Sequence, residues 1–521
     1  MKRASLIALW LIALGAPLAA RADPYVPGHA LDGGRIAAVT TAALAFIPPR
    51  ALFKTSAAQL AMWGLRGITA LDQSLVLRLD GTPGGGRVVM SGAHGPLLAF
   101  SAPKRSDAAG WGRTLAAMAQ KAWDVSRRVR DAHTGGILES IFDEMFAHFD
   151  PYTRYVPPAP ANRERRARGS RAGPGLDVAE RQGAFIVVRL DPQGPAAQAG
   201  IRLGDVLLSV DDATVQGADV AAVHAMLAGP RGSSVVLTVR RPGQRHARTL
   251  IVERSSAPPA TVFTHRRGAF LVVRIQAFAD DTGARLSQDL IRAMAGAHKP
   301  HGILLDLRGN RGGVLASAVD AASALLGHGE VARTDGRTQA ARRILRAKGH
   351  DLVPGLPVVV LVDGNTASAA EVFAAALADD RRAVVMGTAT LGKGLVQTVE
   401  RMPDGGELFL TWSRILAPRG WPLQDLGVVP QICTSLGPGA VARQLVTLRQ
   451  GTDAMLAVAI AARAARPPLP PTRALALRAP CPAAISDGGE VAAAIELLTD
   501  GPAYRAALLP LLPVAPPPAH P

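Results

Sequence analysis

Between residues 270 and 386 the chain alternates short, almost wholly apolar runs with longer amphipathic ones. Leu271 to Ile275, Gly302 to Leu307, Leu356 to Val362 and Val384 to Met386 read as strands. Asp281 to Ala295, Val314 to Leu326 and Ala367 to Ala378 read as the helices between them. A strand that is apolar at nearly every position has no solvent face, so both of its faces must be covered. Crossover helices supply that cover, which implies a largely buried sheet of α/β character. Glu407 to Thr411 reads as completing the same pattern.

The rest of the chain divides around this body. Residues 1–22 have the form of an export signal: Lys2 and Arg3, an apolar run from Leu6 to Leu18, and the small-x-small step Ala20-Arg21-Ala22. Residues 23–158 form an N-terminal, mostly helical region contributing to the body, with helices over Ile36 to Phe46 and Thr114 to Phe149. Strands Ser74 to Leu79 and Gly86 to Ser91 flank a Gly-Thr-Pro-Gly-Gly-Gly turn. That glycine run lacks the Gly-Lys-Thr/Ser of a phosphate loop. Residues 159–172 are an arginine-rich connector, with a dense cluster from Arg163 to Arg171. Residues 173–253 read as a small barrel: strands Ala184 to Leu190, Val206 to Val210 and Ser234 to Val239, with helices at Pro195 to Gly200 and Val220 to Leu227. The body spans 254–438. Residues 439–521 begin helically, break at Pro467 to Pro471 and end proline-rich, which reads as an appendage with little chemistry to offer.

The formal charge is +17, but the excess arginines are scattered and aromatic residues make up only 4% of the chain. No aromatic interleaves with the Arg163 to Arg171 cluster as a base-stacking platform would, so specific nucleic-acid binding is excluded in favour of a solvated basic face. Such a face suits association with an anionic membrane surface. Cys433 and Cys481 are the only cysteines; in an oxidising compartment they can pair and tether the C-terminal extension, and otherwise they are free thiols. With no dense histidine grouping beside them there is no zinc signature, and no metal or other cofactor is expected.

Chemistry concentrates at two places. Ser368 lies just past a strand, in the small-residue run Asn365-Thr366-Ala367-Ser368-Ala369-Ala370-Glu371, at the first turn of a helix. Unpaired amides there accommodate developing negative charge. Lys393 stands in Thr390-Leu391-Gly392-Lys393-Gly394, one of only seven lysines in a chain whose lysine and arginine total 58. Lysine differs from arginine in that its amine can lose a proton, and burial favours the neutral form. Ser368 and Lys393 are therefore candidate nucleophile and base, with no acid inside the lysine motif and with Gln397 able to orient the amine or the hydroxyl. The loop Arg308-Gly309-Asn310-Arg311-Gly312-Gly313 follows another strand and offers a second amide donor free of side chains. The reaction this permits is acyl transfer to Ser368 followed by hydrolysis. A serine–histidine–acid arrangement lacks a histidine between His350 and His520.

The blocks Asp150-Pro151-Tyr152-Thr153-Arg154-Tyr155, Pro195 to Asp205, Asp306 to Gly313 and Asn365 to Gln397, in this order and spacing, resemble the carboxy-terminal processing peptidases, or tail-specific proteases. The resemblance runs from about Ile141 to Ile432. It implies an α/β and α+β multidomain chain: a mixed-sheet peptidase body of the ClpP/crotonase-like type with an inserted PDZ β-barrel domain at 173–253. It implies that Ser368 is the nucleophile, Lys393 the general base and Gln397 the residue that positions the lysine. Ala369 and either Gly312 or Gly313 fall where the oxyanion hole is expected, and Gly173-Pro174-Gly175-Leu176 match the loop that receives a substrate's terminal carboxylate. The implied substrates are unstructured or apolar C-terminal tails of envelope proteins in the periplasm of a Gram-negative bacterium. An adaptor and oligomer formation are open, as is gating by the PDZ domain. Two departures stand out: Ala370 replaces a usual second serine, and Leu391 a usual phenylalanine. The alternative reading is an exported PDZ scaffold with an inactive peptidase body.

Overall fold

The computed structural model describes residues 30–162, 171–181, 183–191, 194–230, 232–254, 261–485 and 488–510. The proposed export signal and residues 163–170 of the arginine cluster lie outside the described residues.

The body holds a six-stranded sheet in the order Val262–Arg267, Phe270–Ile275, Gly302–Asp306, Val358–Val362, Val384–Gly387 and Ile432–Cys433. The first two strands form an antiparallel hairpin, and every later pairing is parallel. All residues of Gly302–Asp306, Val358–Val362 and Val384–Gly387 are buried, as their uninterrupted apolar character requires. The period of two divides each strand between two cores. Val358, Val360 and Val362 pack with the helices Thr282–Ala295, Leu315–Leu326 and Ala369–Asp379. Val359 and Leu361 face the other way, onto Val441, Leu445 and Leu448 of helix Pro438–Gln450 and onto Leu497 and Tyr504.

That second face corrects the reading of the C-terminal extension as an appendage. Helices Pro438–Gln450, Glu490–Thr499 and Gly501–Ala507 cover one side of the sheet, because a sheet apolar on both sides needs a second layer and the crossover helices supply only one. Helix Ala454–Arg463 reaches further in. Its Arg463, 1% exposed, pairs at 3.2 Å with Asp379, which also accepts the Trp421 indole N–H at 2.8 Å. Burial raises the Asp379 pKa and lowers that of Arg463, each opposed by the partner's charge.

Glu407–Leu416 does not continue the parallel sheet. A short turn returns it from Leu395–Arg401, and a turn that short can join only antiparallel neighbours. These two strands, with Glu330–Gly336 and Arg343–Arg346, make a second, antiparallel sheet, to which Arg154–Val156 adds on Glu407–Leu416.

The N-terminal region has helices Gly33–Arg50, Ala57–Leu71, Ala108–Val125 and His133–Phe146. Asp32, Ser56 and Asp107 cap the first three by accepting N–H groups of Arg35, Gln59 and Gly110. Helices Ala57–Leu71 and His133–Phe146 approach closely at Gly67, where a β-carbon would lie 2.1 Å from Ser140 O. The two strands expected here are joined by a third, Gly95–Ser101, in an antiparallel sheet. The core of this region includes Met402, Leu408 and Leu410 of the second body sheet, so the two share one interior.

The small barrel carries strands in the order Arg248–Glu253, Ser234–Arg240, Val206–Val210, Ala184–Leu190 and Leu176–Arg181, with its own core around Val178, Phe185, Leu207, Val223 and Leu237. Leu176–Arg181 is one of its two edge strands, and helix Val220–Leu227 packs beside it. Arg189 and Asp177 of the barrel meet Asp289 and Arg285 of helix Thr282–Ala295 at 3.2 and 3.1 Å.

Removing one partner of a buried ion pair leaves the other charge uncompensated. Arg463→Ala is expected to destabilise the body by about 3–5 kcal/mol, whereas a surface arginine of the same region costs little. Thermal or denaturant unfolding of the two variants measures the difference.

Candidate active site

Gly302–Asp306 and Val358–Val362 are parallel neighbours, so the loops that leave them emerge at one end of the sheet. A carboxylate ties these loops together. Asp363 Oδ1 accepts the N–H of Gly309 at 2.9 Å and those of Asn365 and Thr366 at 3.0 Å. The Thr366 hydroxyl donates to Leu307 O at 3.0 Å, and Ala367 N–H donates to Asn310 O at 2.9 Å. Burial raises the pKa of Asp306, ahead of the glycine loop, but Arg308 and Arg274 outweigh it and leave it lowered.

Ser368 follows in a conformation few residues adopt, with φ 58° and ψ −120°, and helix Ala369–Asp379 starts immediately after it. A positive φ on a residue with a β-carbon is strained and persists only where the surroundings hold it. Gly312 is one of those surroundings. Its φ is +91°, and a β-carbon on it would lie 2.7 Å from Ala367 O and 2.8 Å from Ser368 Cβ. Gly312 N–H donates to Asn310 Oδ1 at 2.8 Å and is thereby engaged. The N–H groups of Gly313 and Ala369 have no acceptor among the described residues.

A second carboxylate joins Ser368 to Lys393. Glu371 is fully buried. Its Oε2 accepts Ser368 N–H at 2.7 Å and Lys393 N–H at 2.9 Å; its Oε1 accepts Gly392 N–H at 2.7 Å and the Thr390 hydroxyl. Burial pushes its pKa up, and these four hydrogen bonds pull against that shift. Leu391 N–H also donates to Thr366 O at 2.9 Å. The lysine motif contains no acid, but an acid from the serine helix binds its backbone. Spacing alone carried a signal for this contact: Ser368-x-x-Glu371 has the form of a capping box, in which the glutamate reaches back to the first N–H.

The Lys393 side chain is half-buried, and its Nζ lies 5.0 Å from the centroid of the Tyr152 ring. No hydrogen bond joins it to Ser368 Oγ among the described residues. Burial raises the Tyr152 pKa, helped by the charges of Glu371, Asp425 and Asp150. Gln397 sits on strand Leu395–Arg401 just past a register shift between Val396 and Gln397. Its Nε2 donates to Thr411 Oγ1 at 3.1 Å, and Thr411 Oγ1 donates to Asp150 Oδ1 at 2.8 Å. Gln397 is thus anchored to the Asp150–Tyr152 turn rather than to the amine. Glu371, Asp363, Tyr152 and Thr411 had no assigned part in the sequence reading.

Gly173, Pro174, Gly175 and Leu176 lie in the small barrel, at the entry to its edge strand. Gly175 has φ +80°; Pro174 O accepts Ala196 N–H at 2.9 Å and Gly175 O accepts Asp191 N–H at 2.8 Å, which holds the turn. His224 of helix Val220–Leu227 places Nε2 3.2 Å from Val178 O, and its ring lies 4.3 Å from that of Phe263. Burial lowers the His224 pKa. Cys433 and Cys481 form a disulfide.

Comparison with known proteins bears on the family and the domains of the chain. A model of peptidase family S41 matches residues 269–434, and a PDZ domain model matches residues 186–241. A carboxy-terminal-processing protease of Bartonella bacilliformis is 31% identical over 317 residues, covering 59% of this chain and 73% of the relative. A chloroplastic C-terminal processing peptidase of Tetradesmus obliquus is 33% identical over 302 residues, covering 54% of this chain and 64% of the relative. Among solved structures, a photosystem II D1 C-terminal processing protease matches with a TM-score of 0.36 and 26% identity, over 72% of this chain and 92% of that one.

Glu371→Gln turns one acceptor oxygen of the junction into a donor that faces other donors. The expected result is a folded protein whose turnover falls about 100-fold, the cost of a small misplacement of reacting groups. Steady-state peptidase kinetics alongside circular dichroism check it.

Proposed function

This chain belongs to the carboxy-terminal processing peptidases, and we propose that Ser368 is its nucleophile and Lys393 the base that activates it. The enzyme is a serine-type peptidase that cleaves at the C-terminal tails of proteins; the inactive-scaffold alternative is not favoured. The observation that carries the site assignment is the Glu371 carboxylate, one oxygen of which binds the backbone N–H of both Ser368 and Lys393.

In this reading the uncharged Lys393 amine leaves the Tyr152 ring and takes the proton of the Ser368 hydroxyl as Oγ attacks the scissile carbonyl. The negative charge that develops on the carbonyl oxygen is met by the N–H groups of Ala369 and Gly313, because Gly312 N–H is already engaged by Asn310. Collapse of the tetrahedral species breaks the C–N bond, and the ammonium returns its proton to the leaving amine. Water, deprotonated by the same lysine, then hydrolyses the acyl ester. The Gln397–Thr411–Asp150 chain steadies the strand that follows Lys393.

Substrate selection falls to the small barrel. An extended tail adds as a strand beside Leu176–Arg181, and the Gly173 to Leu176 turn receives its carboxylate on backbone amides. An unstructured, apolar tail meets both requirements. The N-terminal pattern of residues 1–22 and the Cys433–Cys481 disulfide support an exported enzyme working in an oxidising compartment, the periplasm of a Gram-negative bacterium.

Ser368→Ala and Lys393→Ala are each expected to abolish cleavage of an unfolded, apolar-tailed peptide while the melting transition stays in place. A lysine variant with full activity would remove the assigned base. Gly175→Val forces a β-branched residue to φ +80° in the proposed carboxylate turn. It is expected to raise KM for tailed substrates more than it lowers kcat, in a titration of rate against peptide concentration.

A further inference from the structure

The lysine loop is held by Glu371 on one side and by a second segment on the other. Residues 423–428 cradle it: Gly394 N–H donates to Gln424 Oε1 at 3.0 Å, Asp425 N–H to Gly392 O at 3.0 Å and Val428 N–H to Thr390 Oγ1 at 2.8 Å. This cradle turns sharply, with φ 63° at both Asp425 and Gly427. Its outward carbonyls are capped from the C-terminal extension. Arg478, the last residue of helix Pro471–Arg478, donates from Nη1 to Leu426 O at 2.7 Å and reaches Asp425 O at 3.4 Å. The same nitrogen lies 2.8 Å from where a β-carbon at Gly427 would be and 3.3 Å from one at Gly392. Both glycines therefore press directly against the guanidinium.

Arg478 is anchored in turn. Cys481, three residues on, is bonded to Cys433 at the end of the central sheet. Ala484 O accepts the N–H of Gly364, in the loop that leads to Ser368, at 2.8 Å. Ala484 O also accepts the Thr388 hydroxyl at 3.0 Å, just ahead of the lysine loop. Glu490 pairs with Arg308 of the glycine loop at 2.7 Å. One stretch of the extension thus touches all three loops of the site.

We infer that Arg478 is a positioning residue for Lys393, acting through the Asp425–Gly427 cradle and Gly392 from a segment pinned by the Cys433–Cys481 disulfide. It touches neither substrate nor reacting atoms. It fixes the backbone from which the amine projects, and its cation offsets the carboxylates of Glu371 and Asp425. Glu371, Asp425 and Asp150 act on Tyr152, the ring beside the amine, and Glu371 and Asp425 also act on Arg478.

This inference rests on Lys393 being the base, and the test separates the two. Full-length Arg478→Ala, Arg478→Gln and Arg478→Lys are compared with wild type in steady-state peptide cleavage and in thermal unfolding, with Lys393→Ala as reference. In the Ala and Gln variants kcat is expected to fall about 10- to 100-fold with KM changed far less, as for a displaced reacting group. Arg478→Lys keeps the charge but loses the planar guanidinium, so its kcat drops only several-fold. Wild-type kcat in folded Ala and Gln variants overturns the inference. If those two do not fold, a wild-type kcat in Arg478→Lys overturns it. Activity in Lys393→Ala overturns instead the assignment of the base.

Discussion

One buried carboxylate organises the catalytic end of this molecule. Glu371 has left water entirely, and a charged or polar group that does so must find partners inside the protein. It finds four, on two segments that are distant in the chain and adjacent in space. The desolvation it suffers becomes a constraint: the backbone of Ser368 and that of Lys393 are held to the same small volume whatever their side chains do. The strained φ of Ser368 is tolerable because this clamp and the bare face of Gly312 hold it from two sides.

The clamp works only because the sheet beneath it is rigid. Parallel strands deliver their loops to a common edge, and a sheet buried on both faces cannot shift those loops relative to one another without opening a core. The body meets that demand with crossover helices on one side and the C-terminal helices on the other. The extension is therefore part of the same machine. It covers the sheet, carries the buried Arg463 into the body against Asp379, and reaches the backs of the active-site loops through Arg478, Ala484 and Glu490.

The barrel and the body touch through charge. The edge strand Leu176–Arg181 is the one proposed to receive a substrate tail, and Arg189 and Asp177 meet Asp289 and Arg285 on the adjoining helix. The Val178 carbonyl of that strand lies 3.2 Å from the His224 ring nitrogen. The N-terminal region contributes Asp150 and Tyr152 at its end, which meet Thr411, the partner of Gln397, and the lysine side chain of the body.

Much of this was legible from residues alone. Periodicity located the two barrel helices, three of the five main barrel strands and four of the six strands of the central sheet, because burial at intervals of two or about 3.6 residues is written within a single segment; Leu176–Arg181, Arg248–Glu253, Val262–Arg267 and Ile432–Cys433 were missed. Ser368, Lys393 and the glycine loop were visible for the same reason: small residues, a rare lysine and a strand-to-helix step are local patterns. Which sheet Glu407–Leu416 joins, what covers Val359 and Leu361, where Gln397 points, and that Gly312 N–H is occupied were decided only by the tertiary structure. So were the partners of Glu371 and Arg478. These depend on hydrogen bonds and packing between residues far apart in the chain, whose proximity is a property of the whole fold and leaves no periodic trace in either segment.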